Sequence, residues 1–419
     1  MAHLFSAAIL ITGAVLAVGT ASPAAGQDRA QQEAWCVNAN NSYSPDLRIG
    51  GCTALIQSGA YDAANMAILF TNRGAAYAAQ KNYPQAIADY SEAIRLNPQF
   101  ADVFFNRGSV YYAQNDYPRA IADYSGAIRL NPQHAFAFAN RGVAYESQKD
   151  YPHAIADYSE AIRINPQFAL AFRNRGLAYQ AQKDYPRAIA DYSEAIRINP
   201  QYANAFNDRG NVYSAQNDYS RAIADFSEAI RIDPQFALAF RNRASAYQAQ
   251  KDYPRAIADY AEAIRLNPQP ALTFRNRGYA YYATKDYPRA IADFTQAVRI
   301  DPQDADVFNY RGIAYDAQKD YPRAIADYSE AIRINPHIAY ISNRGRAELL
   351  QQRWQDAWND YDAALRRQPG SEPGSAIALY GRGVAARRLG RTTEGDQDMA
   401  RAVALDPKVA GGFAEIRLQ

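Results

Sequence analysis

The chain repeats itself every 34 residues from about residue 67 to about residue 409. Gly74, Gly108, Gly142, Gly176, Gly210, Gly278 and Gly312 share one register, and Ala244 fills the remaining slot. A fixed period of this length specifies a stack of like supersecondary units rather than one globular core. Each unit touches only its neighbours, so the chain offers an extended surface instead of an enclosed site. Its 419 residues would ordinarily suggest two or three domains, but one elongated array absorbs them.

Residues 169–202, ALAFRNRGLAYQAQKDYPRAIADYSEAIRINPQY, show the unit, with positions counted 1 to 34. Phe172, Gly176 and Tyr179 are spaced by four and three residues, as are Ala188, Tyr192 and Ala195. Each set lines one face of an α-helix. The small residues let two helices approach, and the aromatic ones fill the space between. Asp184 reads as an N-cap, and Pro186 falls in the first turn of the second helix, where a missing N–H costs nothing. Asn199 and Pro200 end that helix. Each unit is thus a helix hairpin that must stack to bury its apolar face. Position 7 is Arg from Arg73 to Arg344, and position 23 is Asp from Asp89 to Asp360. One cation and one carboxylate per hairpin predict a structural pair between its helices.

These residues resemble the tetratricopeptide repeat (TPR) family at most of its signature positions, with Phe70 to Phe308 in place of the usual Trp at position 4. The resemblance covers about four-fifths of the chain. It implies an all-α fold, a right-handed superhelical α-solenoid of helix hairpins, with the first helices facing a concave groove. Eight copies occupy 67–337 and two divergent ones 338–409. The ninth copy follows a one-residue deletion and keeps Gly345, Ala357, Tyr361, Ala364 and Pro369. The tenth keeps Gly383, Ala402 and Pro407 and reads as a terminal cap. Residues 27–66 read as an atypical N-terminal helical cap, and 410–419 as a C-terminal tail.

The N-terminus reads as an export signal. Leu4 to Val18 is a 15-residue apolar run, followed by small residues and then by polar QDRAQQE. Cleavage after Gly26, with Ala24 at the −3 position, fits the small-residue rule, although the segment before the run has no Lys or Arg. An uncleaved anchor is the competing reading, but the run is short for a span. A periplasmic or secreted protein is expected, without stable membrane insertion once the signal is removed. In an oxidising compartment Cys36 and Cys52 are expected to form a disulfide, the alternative being two buried thiols. Ser44 and Pro45 between them read as a helix start, which would bring the thiols together on facing helices.

The copies differ mainly at positions 2, 5, 9 and 12 of the first helix, one stripe by helical spacing. The second helix hardly changes. In TPR proteins this stripe faces the groove, so packing is held constant while the groove varies. Relaxed constraint at exposed positions is the bland alternative. Position 6 is Asn72, Asn106, Asn140, Asn174, Asn242 and Asn276, then Asn343, broken by Asp208 and Tyr310. Such a row can bond the amides of an extended peptide without regard to its side chains, or each Asn can satisfy a nearby backbone group. Arg173, Arg241 and Arg275 at position 5 give the groove a positive tint, and Tyr112, Gln180, Gln248 and Tyr282 at position 12 tune it. The carboxylate clamp of TPR co-chaperones is not matched. Asn211 and Asn242 fit it, but Asn207, Leu272 and Asn276 stand where cations are needed.

Lys plus Arg number 45 and Asp plus Glu 43, a net charge of +2 that makes no case for nucleic acid or an anionic membrane. With four His and two Cys there is little material for a metal site, and no cofactor is expected. His134, His153 and His337 occupy different repeat positions, and no nucleophile elbow or phosphate loop appears. The sequence therefore predicts a non-enzymatic interaction scaffold that binds an extended peptide or partner protein in its groove. The alternative is a self-assembling structural envelope protein. Stacking of envelope sugars on Tyr112, Tyr279 and Tyr282 is a third reading that nothing singles out.

Overall fold

In the computed structural model, which describes residues 23–38, 42–267, 271–367 and 373–414, each repeat is a pair of helices joined by a tight turn. The chain divides into two compact units, Met1–Val212 and Tyr213–Gln419. The first begins with α1 (Pro23–Val37) and α2 (Pro45–Ser58). It continues with α3 (Ala63–Ala79), α4 (Tyr83–Leu96), α5 (Ala101–Ala113), α6 (Tyr117–Leu130), α7 (Ala135–Ser147), α8 (Tyr151–Ile164), α9 (Ala169–Ala181) and α10 (Tyr185–Ile198). The helix α11 (Ala203–Ala215) carries the boundary. The second unit holds α12 (Tyr219–Ile232), α13 (Ala237–Ala249), α14 (Tyr253–Leu266), α15 (Ala271–Ala283), α16 (Tyr287–Ile300), α17 (Ala305–Ala317) and α18 (Tyr321–Ile334). It ends with α19 (Ile338–Leu350), α20 (Trp354–Arg367), α21 (Pro373–Arg388), α22 (Thr392–Leu405) and a 3-10 turn, Val409–Phe413. No strand occurs among the described residues. The architecture is an all-α solenoid of helix hairpins.

The hairpin turn follows from two residues. Position 15 is left-handed in every full copy, as at Lys183 with φ 61°, although only once-per-copy Lys, Asn or Gln occupies it. This bend lets the Asp184 N–H donate to the Tyr179 carbonyl at 2.9 Å. Asp184 then accepts from the Arg187 N–H at 3.2 Å and caps α10, as the sequence predicts. Asn82, at the same position in the first copy, makes no such side-chain bond. The first copy also starts early. Asp62 caps α3 by accepting from the Asn65 N–H at 2.8 Å, so the helix begins four residues before the repeat register does.

Within a hairpin the helices approach closely over position 8. A Cβ added at Gly176 would lie 2.7 Å from Cε1 of Tyr192. The position 7 and 23 pair is bidentate: Arg175 donates twice to Asp191, both at 2.8 Å. Its third arm reaches back to Ser159 of the preceding copy at 2.9 Å. One guanidinium therefore ties two helices of its own copy and one of the copy before. Arg107, Arg141, Arg243 and Arg344 repeat the arrangement on Ser91, Ser125, Ser227 and Ser329.

At the N-terminus Cys36 and Cys52 are disulfide-bonded with Cα atoms 4.7 Å apart, joining α1 to α2, and both are fully buried. Ser44 caps α2 and Pro45 opens it. The expected signal segment lies outside the described residues as far as residue 22, and α1 runs through the expected cleavage position after Gly26. Pro369 and residues 415–419 also lie outside them. Packing continues past 409 into the expected tail. Phe413 is buried, its ring centroid 5.0 Å from that of Tyr380 and 6.4 Å from that of Tyr361.

Candidate peptide-binding face

Within each unit the array bends toward its first helices. In the first unit α3 touches α5, α5 touches α7 and α7 touches α9, while the intervening second helices do not meet one another. In the second unit α13, α15, α17 and α19 are in the same relation. The inner bend of each unit is thus formed by the first helices, which carry positions 2, 5, 6, 9 and 12.

The asparagine row sits deeper than a solvent-facing ladder. Asn72, Asn106 and Asn174 are buried, with 7%, 4% and 3% exposure, whereas Asn140, Asn242 and Asn276 are half-buried. The tyrosines at position 24 explain part of this. Their rings lie between the helices, and their hydroxyls emerge beneath the face. Tyr124 donates to Ser109 at 3.2 Å, and Asn140 of the next copy lines one pocket with both. Tyr260 meets Ser245 at 3.1 Å and donates to Gln248 at 3.2 Å. Tyr192 donates to Gln180 at 2.7 Å, and Tyr158 to Glu146 at 2.7 Å. Burial pushes all of these phenols up in pKa, so they stay protonated donors. At the far end, Asn343 donates to Asn309 at 2.9 Å.

The arginines at position 5 are largely neutralised. Arg173 pairs with Asp208 at 2.7 Å, and Arg275 with Asp304 at 3.1 Å. Arg241 is half-buried and has no carboxylate partner among the described residues. Tyr112 and Tyr282 are half-buried and lie beside Tyr117 and Tyr287, ring centroids 5.5 and 5.6 Å apart, and burial raises the pKa of both phenols. Tyr112 also meets Ser147 of the next copy at 3.2 Å. In the first unit the face opens into a pocket of about 530 Å³ between the first three copies, lined by Tyr90, Asn106 and Tyr112 among others. Among the described residues no cluster of His, Cys, Asp or Glu is placed to hold a metal, and no helix is long and apolar enough to cross a membrane.

Family models of the tetratricopeptide repeat match residues 105–169, 342–410, 243–309, 169–202, 305–338 and 192–224, and a TPR repeat model matches 74–115 and 210–251. The chain belongs to the TPR family. Similar solved structures include a TPR protein from Parabacteroides merdae, 20% identical, with 56% of this chain and 93% of that one covered and a TM-score of 0.45. The C-terminal part of a TPR repeat-containing protein from Cytophaga hutchinsonii is 17% identical, with 57% and 98% covered and a TM-score of 0.49. YrrB, described as a TPR protein with an unusual peptide-binding site, is 22% identical, with 44% and 94% covered and a TM-score of 0.40. No curated protein matches the chain.

This TPR array is a protein-interaction scaffold in general kind, and its inner face holds features that the repeat pattern alone does not announce. The position 24 hydroxyls read as packing, because spacing places them on the buried face of the second helix. The partners differ from copy to copy: Ser109 for Tyr124, Glu146 for Tyr158, Gln180 for Tyr192, and Ser245 with Gln248 for Tyr260, while Ser214 faces Phe226, so no single residue type at positions 9 or 12 announces them. The Arg173–Asp208 pair was visible as the one acidic break in the Asn row.

Proposed function

We propose that the chain is a non-enzymatic scaffold, exported through its N-terminal signal, that binds an extended peptide or partner segment along the inner faces of its TPR units. The observation that carries this reading is the contrast between the two helices of each copy. The second helices and their Arg–Asp–Ser ties are nearly invariant and account for packing. The first helices hold that packing while changing at the stripe that lines the inner bend. The disulfide between Cys36 and Cys52 is in keeping with an oxidising compartment. Half-buried Asn140 and Asn276 offer amide groups to a peptide backbone, while Arg241, Tyr112 and Tyr282 supply side-chain selectivity. Gln180 and Gln248 keep their amide N–H groups for a ligand, since the Tyr192 and Tyr260 hydroxyls take only their carbonyls.

Site-specific photo-cross-linking in the native cell tests this. A photoreactive residue placed at Tyr112, Gln180 or Tyr282 is expected to give adducts with another protein. The same residue at exposed Arg163, Arg197 or Arg265 of the second helices is expected to give none. Adducts from the second helices alone would move the site off the inner face, and adducts only between copies of this chain would replace the reading with self-assembly.

A further inference from the structure

In the first copy the hydroxyl that other copies satisfy is left open. Positions 9 and 12 are Ala75 and Ala78 there, so no side chain in α3 can reach Tyr90 as Ser109 reaches Tyr124 or Gln180 reaches Tyr192. The same two alanines leave space. Tyr90 has no exposed surface, its hydroxyl has no hydrogen-bond partner, and it lines the 530 Å³ pocket. Asn106 of the next copy, 4% exposed, lines the same pocket. Its amide makes no side-chain hydrogen bond among the described residues, and Tyr90 has no counterpart of the Ser109 that Tyr124 donates to. A buried hydroxyl left unmet, as that of Tyr90 is, is rare and costly unless something fills the space. Tyr361 also has an orphan hydroxyl, but it is packed against Gly381 and lines none of the described pockets.

The walls specify what can fill this pocket. Phe105, Val110 and Val143 are apolar, and Tyr112 offers a ring. An aliphatic side chain would suit the walls and leave Tyr90 and Asn106 unsatisfied. A cation would meet Lys81, the charged residue of the lining, and the buried guanidinium of Arg48, which acts electrostatically on Tyr90. A carboxylate would find Lys81 and the Arg48 guanidinium on its side, but its short side chain carries no apolar body to cover Phe105, Val110 and Val143. A side chain with a flat apolar body and a neutral polar tip meets every condition.

We propose that the pocket between the first three copies receives a tyrosine or tryptophan side chain of the partner peptide, its polar tip hydrogen-bonded to the Tyr90 hydroxyl and the Asn106 amide. This rests on the peptide-binding reading and sharpens it to one residue class at one site.

The test uses the full exported chain and a random-peptide phage library. Wild type is expected to enrich peptides with Tyr or Trp at one fixed position. The best such peptide and its Tyr→Phe version (or Trp→Phe) are then measured against wild type and Tyr90→Phe by titration calorimetry. Removing one oxygen that has no partner in the free protein should not disturb folding, and a matching circular dichroism melt checks this. Tyr90→Phe should weaken the Tyr or Trp peptide roughly tenfold and leave the Phe peptide unchanged, a coupling of about 1.4 kcal/mol. Asn106→Leu is the second variant and should shift enrichment toward Phe and Leu. Enriched peptides that bind both variants as tightly as wild type, or that carry Asp or Glu at the fixed position, overturn the pocket and leave the groove reading standing. No enrichment by wild type overturns both.

Discussion

Arg173 and Asp208 meet at 2.7 Å across two adjacent copies, an ion pair built into the inner face where other copies place Arg or Asn alone. Asp208 is 8% exposed, and burial raises its pKa against the pull of Arg173. Removing the cation would strand a buried carboxylate. Arg173→Ala is expected to cost about 3 kcal/mol at pH 8 in urea denaturation. A carboxyl whose folded pKa is raised destabilises the fold as pH rises above its unfolded value, so this loss should shrink as pH falls toward 4. Asp208→Asn restores the residue of the row, keeps a hydrogen-bond acceptor for Arg173 and should stay within about 1 kcal/mol of wild type. Equal losses for the two variants at both pH values would show that the pair carries no such asymmetry.

Arg277 is the copy that lacks a third tie. It donates twice to Asp293 at 2.7 Å, but Ala261 stands where its counterparts find a serine, threonine or aspartate on the preceding copy. Ala261→Ser supplies that acceptor in a place where Ser159 and Ser227 already accept from Arg175 and Arg243 at 2.9 and 3.0 Å. The variant should raise stability by about 0.5–1 kcal/mol. A urea midpoint that is unchanged or lower would mean the serine arm contributes nothing net.

The repeat made the scaffold legible because packing positions obey a strict period. Gly176 against Tyr192, Asp184 as N-cap and Arg175 against Asp191 each follow from spacing and residue type alone. The inner face was less legible because contacts there join different copies. Asn343 reads as one rung among equals until its amide is found donating to Asn309 of the previous copy. Arg173 reads as a free cation until Asp208 arrives 35 residues later. The left-handed turn at Lys183 gave no signal, since Lys is not a residue that announces a positive φ.

The disulfide fastens the N-terminal cap. Cys36 and Cys52 are separated by 16 residues, and α2 packs on α3, so the first repeat has a fixed neighbour on its outer side. Closing a loop of this length stabilises by about 3 kcal/mol in the chain-entropy model. Reduction, or Cys36→Ala with Cys52→Ala, should raise amide exchange in α1, α2 and α3 while leaving α13 to α18 unchanged. Uniform exchange across the array after reduction would show that the cap has no local role.

Glu348 stands at position 11 of the ninth copy, where other copies carry the tyrosine of the hairpin turn. It is 5% exposed, one carboxylate oxygen has no hydrogen-bond partner, and Arg353 approaches the other only to 3.9 Å. Burial, with Asp360 and Asp356 adding like charge and Arg344 and Arg353 opposing it, pushes its pKa up to about 7. The unfolded value is near 4.3. A raised carboxyl pKa means the folded state prefers the protonated acid. Glu348 therefore weakens the fold increasingly as pH rises from about 4 to about 7, and the weakening is complete above that. Glu348→Gln removes the charge and keeps the shape. The variant should gain roughly 2–3 kcal/mol over wild type at pH 8 and nothing at pH 4, read as local amide exchange in α19 and α20. A gain independent of pH would assign the effect to packing, and no gain at pH 8 would mean that the ionised carboxylate finds solvent without cost.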